Sequence, residues 1–437
     1  MSSPETRQPP ALPDPITRTD PHAAPEPSTR PVAVLPLLEL RDGLPDVADT
    51  DAALDEVIES FRDGSGPVAV DAERASGYRY SHRAYLVQLR RTGAGSALVD
   101  PIPFGDLSRL GDAIADAEWV IHAANQDLAC LAEVGMVPAA VFDTELAGRL
   151  LGYPKVGLAS LVGEVLGYRM RKEHSAADWS TRPLPSPWLV YAALDVEMLI
   201  ELRNAIEVEL RREGKWEWAS QEFAAILAAP PREPRPDPWR RTSGMHRIRT
   251  RRGLAVVRAL WEARDRIASQ ADISPGRILG DGAIVEAASE LPADRDTLNR
   301  LPAFRGRGAQ RHLRTWWEAI DDARLLADSE LPKQGPRYDG PPPARSWADR
   351  DPEAAARLAA CRAAVGEIAE RHRLPTENLL APDIIRRLAW TPPKVITTEV
   401  ITTALRSLGA REWQVGLTAE ALTDALAEGP ASTGTFS

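Results

Sequence analysis

Asp71 and Glu73 end the run Pro67-Val-Ala-Val-Asp-Ala-Glu, two residues apart. Alternate side chains of a strand share a face, so this spacing aims both carboxylates the same way at a strand end. Two carboxylates on one face can share a hard cation; a lone pair of this kind also reads as solvent-facing acids at a sheet edge. Asp127 follows His122-Ala-Ala-Asn125-Gln126, directly after the apolar run Trp119–Ala123. An acid in the first turn of a helix is favoured by the helix dipole. That alone would make Asp127 a charge-matched helix end and His122 a hydrogen-bonded interior histidine. Tyr191 and Asp195 are four apart in a helical pattern starting near Pro187. That spacing puts a phenol and a carboxylate one turn apart on one helical face. Each signal is weak by itself. Together they set four carboxylates and a phenol at strand ends and on a helix face, a donor set of hard oxygens suited to Mg2+ or Mn2+.

The elements that must position these residues are legible. PVAVDAE (67–73), YLVQLRR (85–91), SALVD (96–100), WVIHA (119–123) and VFDT (141–144) read as strands from their β-branched and apolar runs, bounded by turns such as GSG and TGAG. Residues 106–117, 126–134, 144–151, 158–166 and 187–213 read as helices, giving a mixed sheet with helices on its faces. PPREPRPDPW (230–239) breaks any helix and marks a linker. No convincing strand follows it. Residues 245–270, 274–290, 294–300 and 308–327 give one helical unit around LPAFRGRG (301–308). After a second linker, residues 352–372, 376–379, 381–389 and 397–408 give another. The two units share a plan: a long amphipathic helix, a short segment opening with proline, then further helices.

In this order, Asp71, Glu73, Asp127 and Asp195 with Tyr191 resemble the three exonuclease motifs of the DEDD superfamily, in its tyrosine-bearing DEDDy branch. KEHSAADWSTRPL (172–184) supplies Lys172, Ser175, Asp178, Trp179, Arg182, Pro183 and Leu184, a stretch very like that of ribonuclease D. AYLVQL (84–89) and FDTELAGRLL (142–151) also resemble that family, and the match covers roughly residues 50–215. The unit near 244–325 resembles an HRDC domain, and the unit near 352–425 resembles a second, more divergent one. The proline-rich N-terminus has no counterpart in the family pattern.

The resemblance implies a multidomain α/β plus all-α protein. A ribonuclease H-like DEDD exonuclease domain with a mixed central sheet would span 37–229, an HRDC domain 244–327 and a second HRDC-like domain 352–427. Linkers would span 230–243 and 328–351, with a disordered tail over 1–36 and a loose one over 428–437. The implied activity is metal-dependent 3′–5′ exoribonucleolysis, with RNA 3′ ends such as those of tRNA precursors as substrate. A 3′–5′ DNA exonuclease and a catalytically silent nucleic-acid-binding protein are the competing readings; telling RNA from DNA needs a contact to the 2′-OH. By resemblance, Asp71, Glu73 and Asp195 hold one divalent ion, and Asp71 and Asp127 reach a second, with Mg2+ or Mn2+ as cofactor. Tyr191 positions the attacking water; with an ordinary pKa of about 10 it is a poor base. Lys172 and Arg182 are expected to grip phosphates near the cleaved bond, and Gln88 and His122 to contact the terminal nucleotide or support the ligands. Trp179 reads as packing.

Charge is uneven. Residues 37–230 carry 31 acids against 18 bases, whereas 232–252 hold eight arginines and two acids, and 295–314 six arginines and one acid. A site of four carboxylates repels phosphate until metal is bound, so attraction for a polyanion must come from elsewhere. Arg240, Arg241, Arg247, Arg249, Arg305 and Arg307 are the candidates for backbone contacts. The chain is 437 residues with 43% hydrophobic content, enough for folded cores and against wholesale disorder. Two cysteines exclude a disulfide framework and a zinc finger and fit a reducing cytoplasm. No apolar stretch approaches the ~18 residues of a spanning helix, so no membrane is expected. The first 36 residues, with ten prolines, have no signal-peptide core, and no obligate protein partner is inferred.

Overall fold

A computed structural model describes residues 35–171, 176–230, 235–334 and 340–427. Nearly all of the expected N-terminal tail, Lys172, Ser175 and the expected C-terminal tail lie outside the described residues.

The first domain is built on six strands: β1 (Val47–Ala48), β2 (Ser65–Arg74), β3 (Ala84–Thr92), β4 (Gly95–Val99), β5 (Glu118–Ile121) and β6 (Ala140–Asp143). Their order is β1-β4-β3-β2-β5-β6. β2–β3 and β3–β4 pair antiparallel, and β1–β4, β2–β5 and β5–β6 parallel, so the sheet is mixed as expected. The central strand β2 carries Val68, Ala69 and Val70 fully buried in succession, the run expected of a strand covered on both faces. The faces sort by alternation along β3: Leu86 packs with Trp179, Ala192 and Ala193, whereas Val87 and Leu89 join the main core.

The helices of this domain are α1 (Asp51–Asp63), α2 (Ser108–Ala113), α3 (Leu128–Glu133), α4 (Thr144–Leu151), α5 (Leu158–Leu161), α6 (Ser186–Glu197), α7 (Leu199–Arg212) and α8 (Trp216–Ala228). The expected helix over 187–213 is broken at Met198, whose backbone (φ −118°, ψ 8°) leaves the helical region and turns α7 away from α6. The strand β1 and the helices α1 and α8 were not expected.

No strand occurs among the described residues beyond β6. The second unit comprises α9 (Arg251–Ala271), α10 (Pro275–Ile278), α11 (Asp281–Glu290), α12 (Arg295–Arg300), α13 (Arg307–Arg311) and α14 (Leu313–Leu325) around Leu260, Ile284, Phe304 and Trp316. The third comprises α15 (Trp347–Arg350), α16 (Pro352–Arg371), α17 (Thr376–Leu379), α18 (Pro382–Trp390), α19 (Thr398–Ser407) and α20 (Glu412–Ala427). The expected linkers are packed at their ends: Trp239 and Leu331 belong to the core of the second unit, and Trp347 stacks near Trp390 in the third.

The two helical units join the first domain by different seams. The second meets the β2–β3 loop. Asp272, the C-cap of α9 in a left-handed conformation (φ 47°), accepts the Ser81 N–H at 2.9 Å and the Tyr85 hydroxyl at 3.3 Å. Tyr80 donates to Asp265 at 3.0 Å, and Arg277 reaches the Gly77 carbonyl at 2.9 Å. The third unit meets α8 and the end of α4. Trp218 stacks on Trp413 at 5.0 Å, and Trp413 donates to the buried Glu222 at 3.0 Å. Lys215 donates to the carbonyls of Leu150 and His372. Gly152 is required at this seam: its φ is +82°, and a Cβ there would lie 2.3 Å from the Arg373 carbonyl oxygen.

Candidate active site

β2 delivers Asp71 and Glu73, and α6, crossing β2, β3 and β4, delivers Tyr191 and Asp195. One carboxylate oxygen each from Asp71, Glu73 and Asp195 lies within 4.8 Å of the other two. Burial raises the pKa of all three carboxyls. Glu73 is pushed up to about 10 by burial and then by repulsion from Asp71, Asp195 and Asp127. Asp71 and Asp195 move the same way, burial first. The Tyr191 hydroxyl is hydrogen-bonded to Asp195, and burial with the nearby Asp195 and Glu73 raises its pKa, so it stays a phenol. A hard divalent cation fits this donor set, because its charge offsets the burial and mutual repulsion that raise these carboxyls.

Asp127 comes from the turn after β5. Ala123 takes a left-handed conformation there (φ 61°), and the chain passes through a short 3₁₀ turn before α3. Asp127 stands at the N-cap position of α3, yet its side chain makes no capping hydrogen bond. Its carboxylate instead faces Arg74 at 3.4 Å. Burial, then Asp71, pushes Asp127 up to about 8, against the pull of Arg74. The simple helix-capping reading of Asp127 therefore falls away.

Sequence reasoning missed two residues. Asp143 accepts the N–H groups of Ala123 and Ala124 at 3.0 and 2.9 Å and those of Glu145 and Leu146 at 2.9 and 3.1 Å. It caps α4 and pins the turn that presents Asp127. An aspartate just before TELAGRLL is an N-cap signal, so its local half was legible. Arg74 had no sequence signal. It sits where the β2–β3 register shifts, Glu73 pairing with Leu86 and Arg74 with Ala84. Such irregularities re-aim side chains, and here the guanidinium reaches Asp127.

The other expected residues divide. Gln88 is fully buried and lies directly opposite Asp71 on the neighbouring strand, so its side chain shares that face. Both its amide atoms lack a partner among the described residues. Burial sets it away from solvent, on the strand face that carries Asp71. His122 is hydrogen-bonded through Nδ1 to Thr144 at 2.9 Å, and burial holds its pKa down to about 4, so it is a neutral interior histidine. Arg182 does not present its guanidinium to phosphate. It binds Asp100 through two nitrogens at 2.5 and 2.8 Å and also donates to the carbonyls of Tyr85, Trp179 and Thr181. Five short bonds commit it to bracing the segment before α6. Trp179 is fully buried against Trp188 and Tyr191, the packing role expected of it. Arg240 pairs with Asp237, donates to the Lys333 carbonyl and covers Trp239, which makes it a clamp on the linker. Arg241, Arg247, Arg249, Arg305 and Arg307 are exposed. Lys172 lies outside the described residues.

Residues 45–211 match the 3′-5′ exonuclease family, 253–320 the HRDC domain, and 340–426 a 3′ to 5′ exonuclease C-terminal domain. Ribonuclease D of Gluconacetobacter diazotrophicus is 32% identical over 337 residues, covering 74% of this chain and 81% of that protein. The chain belongs to the ribonuclease D family. A second ribonuclease D, from Acidiphilium cryptum, is 36% identical over 61% of this chain and 69% of its own length. Among solved structures, a protein from Bifidobacterium adolescentis superposes with a TM-score of 0.83 at 39% identity, over 90% of this chain and 100% of that one. Escherichia coli RNase D, described as an exoribonuclease involved in structured RNA processing, superposes with a TM-score of 0.65 at 26% identity, over 88% and 98%. As a ribonuclease D the protein is a 3′–5′ exoribonuclease, a phosphodiester hydrolase acting on RNA, and its family implies use of divalent metal. No helix among the described residues is long and apolar enough to cross a membrane.

Proposed function

We propose that Asp71, Glu73 and Asp195 hold one divalent ion and that Asp71 and Asp127 reach a second, Mg2+ or Mn2+, for stepwise removal of 3′-terminal nucleotides from structured RNA such as tRNA precursors. The observation that carries this reading is the convergence of three carboxylate oxygens within 4.8 Å beside a phenol that stays protonated. Two such ions, when bound, activate a water and stabilise the charge that develops on the attacking and leaving oxygens.

The chain's own residues do the rest. Tyr191, anchored on Asp195, orients the attacking water by hydrogen bonding rather than removing its proton. Gln88 supports Asp71 from the next strand. Arg241, Arg247, Arg249, Arg305 and Arg307 contact the RNA backbone without reading sequence, and Lys172 grips phosphate near the cleaved bond. The two arginine groups are far apart along the second unit. Arg249 precedes Thr250, the N-cap of α9, whereas Gly308 packs on the carbonyls of Arg277 and Ile278 near the seam. A helix of 21 residues spans about 30 Å, so RNA touching both groups would extend several nucleotides from the site. A cytoplasmic setting rests on two buried, unpaired cysteines.

The test is hydrolysis of 5′-labelled single-stranded RNA, and of the matched DNA, with Mg2+, with Mn2+ and with EDTA. A metal-dependent RNA ladder shortening one nucleotide at a time from the 3′ end is expected. Intact RNA under every condition would leave only a binding role, and equal degradation of DNA would remove the RNA preference.

A further inference from the structure

Arg74 is a cation built into an anionic site. Its neighbours Asp71 and Glu73 and its partner Asp127 are all acids. The Arg74 guanidinium is the positive charge that draws the pKa of Asp71, Glu73 and Asp127 down. Its side chain is 27% exposed against 7% for Asp127, so part of Arg74 is within reach of a ligand while its guanidinium faces the carboxylate. At 3.4 Å the pair is looser than a well-formed charge-assisted hydrogen bond. Asp127 also stands outside the group of three acids whose oxygens already converge. The fourth carboxylate therefore faces an arginine and stands apart from the three that converge.

We propose that Arg74 couples RNA binding to metal binding. This rests on the reading of the carboxylates as a divalent-metal site. While it faces Asp127, the guanidinium repels a second divalent ion there. A phosphate at the site attracts the guanidinium, for which phosphate is a strong bidentate partner, and frees Asp127 for the ion. The linkage is reciprocal: whatever factor phosphate adds to ion affinity, the ion adds to phosphate affinity. The device would keep the second ion weakly bound until substrate arrives.

The experiment titrates Mn2+ into the full chain, following free Mn2+ by electron paramagnetic resonance, with and without AMP, a product-type nucleotide that cannot be cleaved further. Blanks correct for Mn2+ held by AMP itself. In the natural protein AMP should tighten the weaker Mn2+ by about tenfold. In Arg74→Ala the weaker Mn2+ should bind about tenfold more tightly without AMP, and the AMP effect should largely vanish. Arg74→Lys should fall between, and melting by circular dichroism checks that each variant is folded. Unchanged or weakened Mn2+ binding in Arg74→Ala, with the AMP effect intact, would overturn the proposal. Asp195→Asn separates the two levels: if it leaves Mn2+ binding of the natural protein untouched, the metal-site reading itself fails.

Discussion

The two helical units have similar plans but are tied to the exonuclease domain by different chemistry. The third unit shares one continuous apolar core with that domain, from Val70 and Phe142 of the sheet through Phe223 of α8 to Trp413 and Leu422 of α20. The second unit has a separate core, to which, among the described residues, the exonuclease domain contributes only a half-buried Tyr80. Its seam is made of hydrogen bonds to the β2–β3 loop. An apolar seam binds domains into one folding unit, whereas a polar seam of a few bonds permits opening. The polar seam is the one next to the chemistry: the loop it holds begins just after Glu73 and Arg74. The fold thus keeps its structural support on the far helices and its adjustable contact beside the site.

The largest effect should follow from cutting the chain after Gln334. That uncovers the face of α8 that carries Trp218 and Glu222, and the exonuclease domain should lose cooperative unfolding and aggregate; a soluble fragment with an unchanged melting profile would break the comparison. Next, Trp413→Ala removes a buried indole and its bond to Glu222, which should cost about 3–5 kcal/mol in denaturant unfolding. Asp143→Ala leaves four N–H groups without their acceptor and should destabilise the exonuclease domain by about 3 kcal/mol while lowering activity through a misplaced Asp127. At the polar seam, Asp272→Gly keeps the left-handed cap and deletes the carboxylate. It should cost only about 1 kcal/mol globally, yet speed hydrogen exchange over the 77–83 loop. If Asp272→Gly destabilises as much as Trp413→Ala, the two seams are not different in kind.

The smallest effect concerns pH at the apolar seam. His372, beside Lys215, is held below the usual histidine range by burial, then by Lys215 and Arg371. The unfolded chain therefore takes up this proton first, and stability falls as pH drops through the ordinary histidine pKa of about 6.5. Most of the ring's surroundings are open, so solvent screening keeps the contribution small. His372→Gln should remove it, as read by unfolding midpoints compared at pH 8 and pH 5.5.

Elements with strong local signals were legible in the sequence. The β-branched runs of β2, β3 and β5 and the amphipathic stretches of α9 and α16 announce themselves, and Asp71, Glu73, Asp127, Tyr191 and Asp195 stand out once their order is compared with a known motif set. Two residues of β1 are too few to show alternation. α8, rich in Trp and Ala, follows the Glu-Gly-Lys segment 213–215, just where the helical pattern over 187–213 ends. The fate of Arg182 depends on Asp100, 82 positions away, and that of Arg240 in part on Lys333, 93 positions away, which no local pattern reports. Arg74 depends on a register shift, and Gln88 on being opposite Asp71; both are tertiary facts.

The central claim is that the half-buried, converging carboxylates are a metal-dependent hydrolytic site, and Asp195→Asn tests it most directly through two readouts on one protein. Burial, with repulsion from Asp71, Asp195 and Asp127, pushes Glu73 up to about 10, so Glu73 keeps a proton that the unfolded chain releases above about pH 4.5, and this contribution to stability is lost as pH rises toward 10. A neutral amide at position 195 relieves that repulsion. The account predicts that Asp195→Asn cuts RNA hydrolysis by roughly a thousandfold or more, beyond the loss of a single charge-stabilising donor, while raising the melting temperature in EDTA. Retained cleavage, or lost cleavage accompanied by a lower melting temperature in EDTA, would contradict it.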